Sequence, residues 1–307
     1  MNNDDYLKTA LVIGNGFDLD LGFKTRYCDF AHSEVWKIMY EDHVAKSKQY
    51  SLLKYLNDRR DIDKWFDIEQ ALLEYASSKV KDVWLHDVKT DKMEYEAVCA
   101  ALGSYLKKHI AEQSHDISHK RAVELLRVFH SDRSVMQIYS FNFTQLEQIS
   151  NVAGILHLKS PHYVHGNVKD DSHILGIDIK SFDKIIPEYS FLIKSNNSHY
   201  QSTSIASDLV NAHEVIIYGH SLNMIDSVYF DDYLIDLSAT YERNRRLTII
   251  TKDEASQIET LDNIRKLGVS IPKLFSHGHL EFILTSKMDN GIETEIEKFE
   301  KLLERNK

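Results

Sequence analysis

The sequence predicts an α/β protein with a Rossmann-like, mainly parallel sheet, helices on both faces of that sheet, and a large all-helical insertion after the first strand. Three observations predict it. A short apolar run stops at a Gly-x-Gly turn near the N-terminus. A long block with helical periodicity and no proline follows. Apolar strand-like runs then alternate with helical stretches toward the C-terminus, the pattern of parallel strands joined by crossover helices.

The first strand is expected over Leu7–Ile13, reading L-K-T-A-L-V-I and ending at Gly14. A continuous apolar run of that length suits a strand buried on both faces. From Cys28 to His130 apolar residues recur at spacings of three and four, which places them on single helix faces. Trp65, Ile68, Leu72, Leu73 and Ala76 form one stripe, Leu102, Tyr105, Leu106 and Ile110 a second, and Val123, Leu125, Leu126 and Phe129 a third. Core packing is the expected role of these residues and of Trp84. Strands return at Val135–Phe141, Tyr163–Val164, His173–Ile177, Glu214–Tyr218 and Arg246–Thr251, with a helix over Met224–Tyr241 and an edge strand at Phe282–Leu284. Ser195–Ser207, rich in Ser and Asn, reads as a loop able to serve as a flap. Ile292, Ile296, Phe299 and Leu303 mark an amphipathic closing helix. The organisation is therefore a nucleotide-binding core of residues 1–27 and 131–290, a helical insertion of residues 28–130, and a C-terminal helix of residues 291–307.

Composition narrows the function. The 307 residues are 43% hydrophobic and 27% charged, enough for a sizeable core. A formal charge of −10 gives no general attraction to polyanions, so broad nucleic-acid binding is not expected. Two cysteines, Cys28 and Cys99, lie far apart and suit a reducing compartment. The polar start Met1-Asn2-Asn3-Asp4-Asp5 is unlike a signal peptide, and no apolar stretch is long enough to span a bilayer; a cytoplasmic protein without a membrane partner is the expectation.

The chemistry-bearing groups cluster where strands end. Gly14 and Gly16 follow the first strand, and two glycines there permit a tight turn and close backbone approach to a phosphate. Leu19 stands where the dinucleotide fingerprint has its third glycine. Ser140-Phe141-Asn142-Phe143-Thr144, Val164-His165-Gly166-Asn167 and Tyr218-Gly219-His220-Ser221-Leu222-Asn223, with Asp226 beyond, end other strands. Several polar strand ends on one sheet edge favour a shared site. Asp18 could bond a ribose or cap the next helix. Among 16 histidines, His157, His162 and His165 lie close together and His277 and His279 lie two apart, but neither set has a zinc spacing, and no metal is expected.

Gly14-Asn15-Gly16-Phe17-Asp18, with Gly22, Thr25, Tyr27, Asp29 and Phe30 following, resembles the opening signature of the AbiH family of bacterial phage abortive-infection proteins. Trp65-Phe66-Asp67-Ile68-Glu69, Phe141-Asn142-Phe143-Thr144, His165-Gly166 and Gly219-His220-Ser221-Leu222 with Asp226 match in the family's order over most of the chain. More distantly, the same strand ends resemble those of SIR2-like proteins, which use NAD; Thr144 stands where those proteins carry Asp, and Asn15 where they carry Ala. The resemblance implies antiphage defence by abortive infection, with NAD or a related nucleotide as ligand or substrate and cleavage of its N-glycosidic bond. It implies that Asn142 orients the ribose or a water and that His165 is the general base. Gly14, Asn15, Gly16, Phe17, Asp18, Thr25, Gly219, His220, Ser221 and Asp226 are then expected to line the nucleotide. A homo-oligomer or a phage-derived trigger fits the same picture.

Three other readings stay open on the residues alone. Asp67, Glu69, Asp178 and Asp226 offer carboxylates for a metal-dependent nuclease. Ser221, after a strand and before a helix, with Asp253 and His277 or His279 downstream, has the chain order of a serine hydrolase. A nucleotide-binding sensor without turnover is the third.

Overall fold

The computed structural model describes residues 9–44, 50–62, 67–78, 87–112, 116–129, 135–178, 185–201, 203–240 and 244–307. Leu7, Trp65, Phe66, Trp84 and Tyr241 lie outside them. The chain divides into two compact units: Met1–Gly22 with His115–Val164 and Ser202–Lys307, and Phe23–Ser114 with His165–Gln201.

The first unit holds the sheet. Its strands are β1 (Thr9–Ile13), β2 (Met136–Ser140), β3 (His162–Tyr163), β4 (Glu214–Tyr218), β5 (Arg246–Thr251) and β6 (Leu280–Leu284), in the order β3-β2-β1-β4-β5-β6. Every pairing is parallel. All five residues of β1 and of β4 are buried, so side chains on both faces of the sheet are covered. That explains why these strands read as unbroken apolar runs rather than as alternation.

One face, carrying Ala10, Val12, Val215, Ile217, Leu247 and Ile249, packs in a common core with residues of helices at Ile205–Asn211, Asp231–Ala239 and Ile271–Ser276. The other face meets the closing helix, Glu293–Asn306. Arg305 donates to Glu214 and to the Thr248 hydroxyl, and Asn306 donates to Glu214 and accepts from Thr9. The same helix covers the open edge of β6: Glu295 accepts the Leu284 N–H at 2.8 Å, and Lys298 donates to the Phe282 carbonyl at 3.3 Å. Satisfying edge groups this way blocks the strand as a template for another chain.

Helical structure fills the interval between β1 and β2, as expected. In the first unit, Arg121–Leu126 buries Ala122, Val123, Leu125 and Leu126. In the second, Tyr27–Ala31, Glu34–Val44, Leu52–Ile62, Ile68–Ser78 and Val88–Glu112 pack together. The stripes at Ile68, Leu72 and Ala76 and at Leu102, Tyr105, Leu106 and Ile110 are buried. Asp91 and Glu94 satisfy donors at the start of Leu52–Ile62: Leu52 N–H bonds Asp91 and Leu53 N–H bonds Glu94, each at 2.8 Å.

Two expected elements are corrected. His173–Ile177 is not a sheet strand. It belongs to the second unit, where the Ile174 N–H bonds the His165 carbonyl and Ile177 makes a single bridge to Ile193. Its apolar residues are buried, and burial alone looks the same in sequence whether or not a ladder forms. Nor is Met224–Tyr241 one helix. Asn223 Oδ1 accepts the N–H groups of Ile225 and Asp226 at 3.1 Å, a side-chain turn that competes with helix. A 3₁₀ turn at Ser227–Tyr229 follows, and α-helix starts only at Asp231. Of Ser195–Ser207, the start lies in a 3₁₀ turn (Lys194–Asn196) and the end in the helix Ile205–Asn211.

Candidate functional site

In the sheet unit, the strand order reverses direction between β1 and β4. The segments that follow these two strands are packed backbone to backbone. Gly14 N–H donates to the Tyr218 carbonyl at 2.9 Å and Gly16 N–H to the Gly219 carbonyl at 2.8 Å. A Cβ on Gly16 would lie 2.6 Å from Gly219 Cα, and one on Gly14 2.6 Å from His220 Cα. Close approach of protein backbone therefore requires both glycines, and both amides are used inside the protein. Asn15 begins a six-residue helix, Asn15–Asp20, which buries Phe17 and Asp18.

The loop after β2 is stitched to the same turn. Phe141 N–H bonds the Ile13 carbonyl, and Asn142 Nδ2 donates to the Gly14 carbonyl at 3.0 Å. Thr144 Oγ1 donates to Asp18, 2.9 and 3.0 Å from its two carboxylate oxygens. Asp18 is 1% exposed. The loop after β2 is thus tied to the first helix through a buried carboxylate.

After β4, Gly219 takes φ +67° and Leu222, buried, takes φ +54°. A buried leucine in the left-handed region is a strained position of the sort that collects at functional sites. His220 Nδ1 accepts the Leu222 N–H at 3.0 Å, which leaves the ring proton on Nε2, 3.2 Å from Asp226 Oδ2. Phe141 and Phe230 wall the ring in. His220 and the Asn223 turn together fix where Asp226 sits. Ser221 is half-buried, and its carbonyl accepts from Asn263.

Of the serine-hydrolase partners, Asp253 caps the helix Glu254–Lys266; the Ser256 backbone N–H, then its hydroxyl, hold the Asp253 carboxyl below its usual range. His279 turns both ring nitrogens to backbone carbonyls, those of Arg245 and Thr240. Neither is arranged to activate a serine.

Thr25 and His165 fall in the second unit. Thr25 is half-buried and lies in the chain just before the helix Tyr27–Ala31. His165, 4% exposed, belongs to a cluster that sequence reasoning missed. Lys194, whose side chain is 0% exposed, lies 3.0 Å from His165 Nε2, 3.1 Å from Glu69 and 3.9 Å from Asp178. Glu69 also accepts the Gly176 N–H at 3.2 Å. Asp67 does something different from Glu69: it accepts the N–H groups of Glu69 and Gln70 at the start of Ile68–Ser78. The Asp67/Glu69 pair is therefore a helix cap and a lysine partner, and an ammonium stands among Glu69, Asp178 and His165. The signal that could have found Lys194 is its place at the end of the apolar run Phe191-Leu192-Ile193. In the same unit, burial pushes the Cys99 thiol up to about 12, which favours the protonated form over the thiolate.

A family model described as "Bacteriophage abortive infection AbiH" matches residues 10–250. The chain belongs to the AbiH family. This AbiH protein is thus an abortive-infection protein of antiphage defence, and the match runs from β1 to β5 through both units. No curated protein and no solved structure gives a significant match to it. Among the described residues of this AbiH chain, no helix is long and apolar enough to cross a membrane.

Proposed function

We propose that this AbiH protein binds a nucleotide such as NAD at the carboxyl edge of its sheet and hydrolyses the N-glycosidic bond, lowering the nucleotide pool of an infected cell. The observation that carries the reading is the strand order, with its reversal between β1 and β4. Open parallel sheets bind ligands beyond the strand ends at such a reversal. Gly14–Asp18 and Gly219–Asp226 are the segments that leave those two strands.

The bonding at that edge shapes the proposal. Gly14 and Gly16 spend their amides on Tyr218 and Gly219, so these two donors are not offered to the phosphates. Side chains take over the binding. Carboxylates at Asp18 and Asp226 accept hydrogen bonds, which suits ribose hydroxyls, and Asn142 offers both donor and acceptor. In hydrolysis, water adds to the ribose C1′ as the bond to nicotinamide breaks, giving ADP-ribose, nicotinamide and a proton. His165, in the second unit, enters this reading through the resemblance to SIR2-like proteins.

Calorimetric titration of NAD into the purified chain tests it. Asp226→Asn keeps the size and removes the charged acceptor, worth about 1.5–3 kcal/mol. Affinity is expected to fall roughly tenfold to a hundredfold. Equal affinity for wild type, Asp18→Asn and Asp226→Asn would place the ligand elsewhere.

A further inference from the structure

An ammonium group has hydrogens to give and no lone pair, and an imidazole nitrogen can accept only when it carries no proton. Both facts bear on one contact in the second unit. Lys194 Nζ lies 3.0 Å from His165 Nε2. The same amine contacts both Glu69 oxygens, at 3.1 and 3.2 Å, with Asp178 Oδ2 at 3.9 Å. Two carboxylates beside this buried amine favour its charged form, so it stands as the ammonium. The bond to histidine therefore runs from Lys194 to Nε2, and the neutral ring carries its proton on Nδ1.

The partners form an ordered chain. Gly176 N–H holds Glu69, Glu69 holds Lys194, and Lys194 holds His165. Gly176 also lets the lysine stem pass: a Cβ there would lie 2.6 Å from the Leu192 carbonyl oxygen and 3.2 Å from Lys194 Cγ. The spacing of these residues along the chain, with Glu69 and Lys194 125 positions apart, leaves no trace of the arrangement in sequence.

We infer that Lys194 is a positioning residue that fixes His165 in the Nδ1–H tautomer, so that His165 works by giving a proton or hydrogen bond rather than by taking one. A general base needs a lone pair at the reacting nitrogen. Here Lys194 uses the one on Nε2, and the proton occupies Nδ1. The inference takes from the proposed function only that His165 takes part in the chemistry; the tautomer itself does not depend on the substrate.

Long-range ¹H–¹⁵N spectra of the full chain, labelled at histidine and recorded at mildly alkaline pH without nucleotide, read the tautomer. The His165 signals are assigned by their loss in His165→Gln. The Nδ1–H pattern is expected in wild type and in Lys194→Arg, which keeps donors and no acceptor. It is expected to be lost in Lys194→Met. An Nε2–H or doubly protonated ring in wild type would overturn the inference, as would an unchanged pattern in Lys194→Met. Should the methionine variant fail to fold, the wild-type and Lys194→Arg spectra decide. Adding NAD to the same wild-type sample separates the two readings. No binding with an Nδ1–H ring removes the nucleotide proposal alone, whereas binding with an Nε2–H ring removes this one alone.

Discussion

Gly219→Ala is expected to cost about 2–5 kcal/mol of stability. Two effects add. Gly219 has φ +67°, a left-handed conformation that a Cβ opposes by about 1–2 kcal/mol. The new Cβ would also lie 2.4 Å from Gly16 Cα and 2.5 Å from Phe17 N. These are backbone atoms of the neighbouring turn, so no rotamer change relieves the clash, and overpacking of this kind costs about 1–3 kcal/mol. Gly268→Ala supplies the control. That residue has φ +80° with nothing within 4 Å of the added Cβ, so only the conformational cost of about 1–2 kcal/mol applies. Urea unfolding of both variants checks the account, and equal losses would show that the β1 and β4 turns are not locked together as described.

The buried lysine gives the second large effect. Glu69→Met is expected to destabilise the chain by about 3–5 kcal/mol, because it strands the Lys194 ammonium in the interior with Asp178 3.9 Å away. Lys194→Met strands Glu69 instead, at a similar cost. The double variant should lose far less than the sum, since apolar groups of similar volume replace a buried pair at little net cost. Unfolding midpoints for the four members of the cycle measure the coupling. Single losses under about 1 kcal/mol, additive in the double variant, would show that the cluster is hydrated and weak.

Much of the sheet was legible because burial on both faces leaves unbroken apolar runs. Leu11-Val12-Ile13, Val215-Ile216-Ile217 and Thr248-Ile249-Ile250 are cases, and the short run at Phe282–Leu284 did mark an edge strand. His173–Ile177 misled for the same reason: Ile174, Leu175 and Ile177 are buried, but among the residues of the second unit rather than in the ladder. The Met224–Tyr241 stretch kept its apolar residues while Asn223 and a 3₁₀ turn delayed the helix.

At the candidate site, Gly14 and Gly16 were legible as positions that demand glycine. The reason for the demand was not, since the atoms that exclude a Cβ belong to Gly219 and His220. Asp18 and Thr144 were each noticed, yet the bond between them spans 126 positions and has no sequence signature. Lys194 left even less, one cation at the end of an apolar run whose partners lie in three other segments.

We propose that this AbiH protein acts on a nucleotide such as NAD and that His165 belongs to that chemistry. NAD levels in cells expressing wild type or His165→Ala, followed before and after phage infection, test it most directly. A fall after infection is expected with wild type and none with His165→Ala, together with loss of protection in the variant. Protection by wild type with NAD unchanged throughout would contradict it.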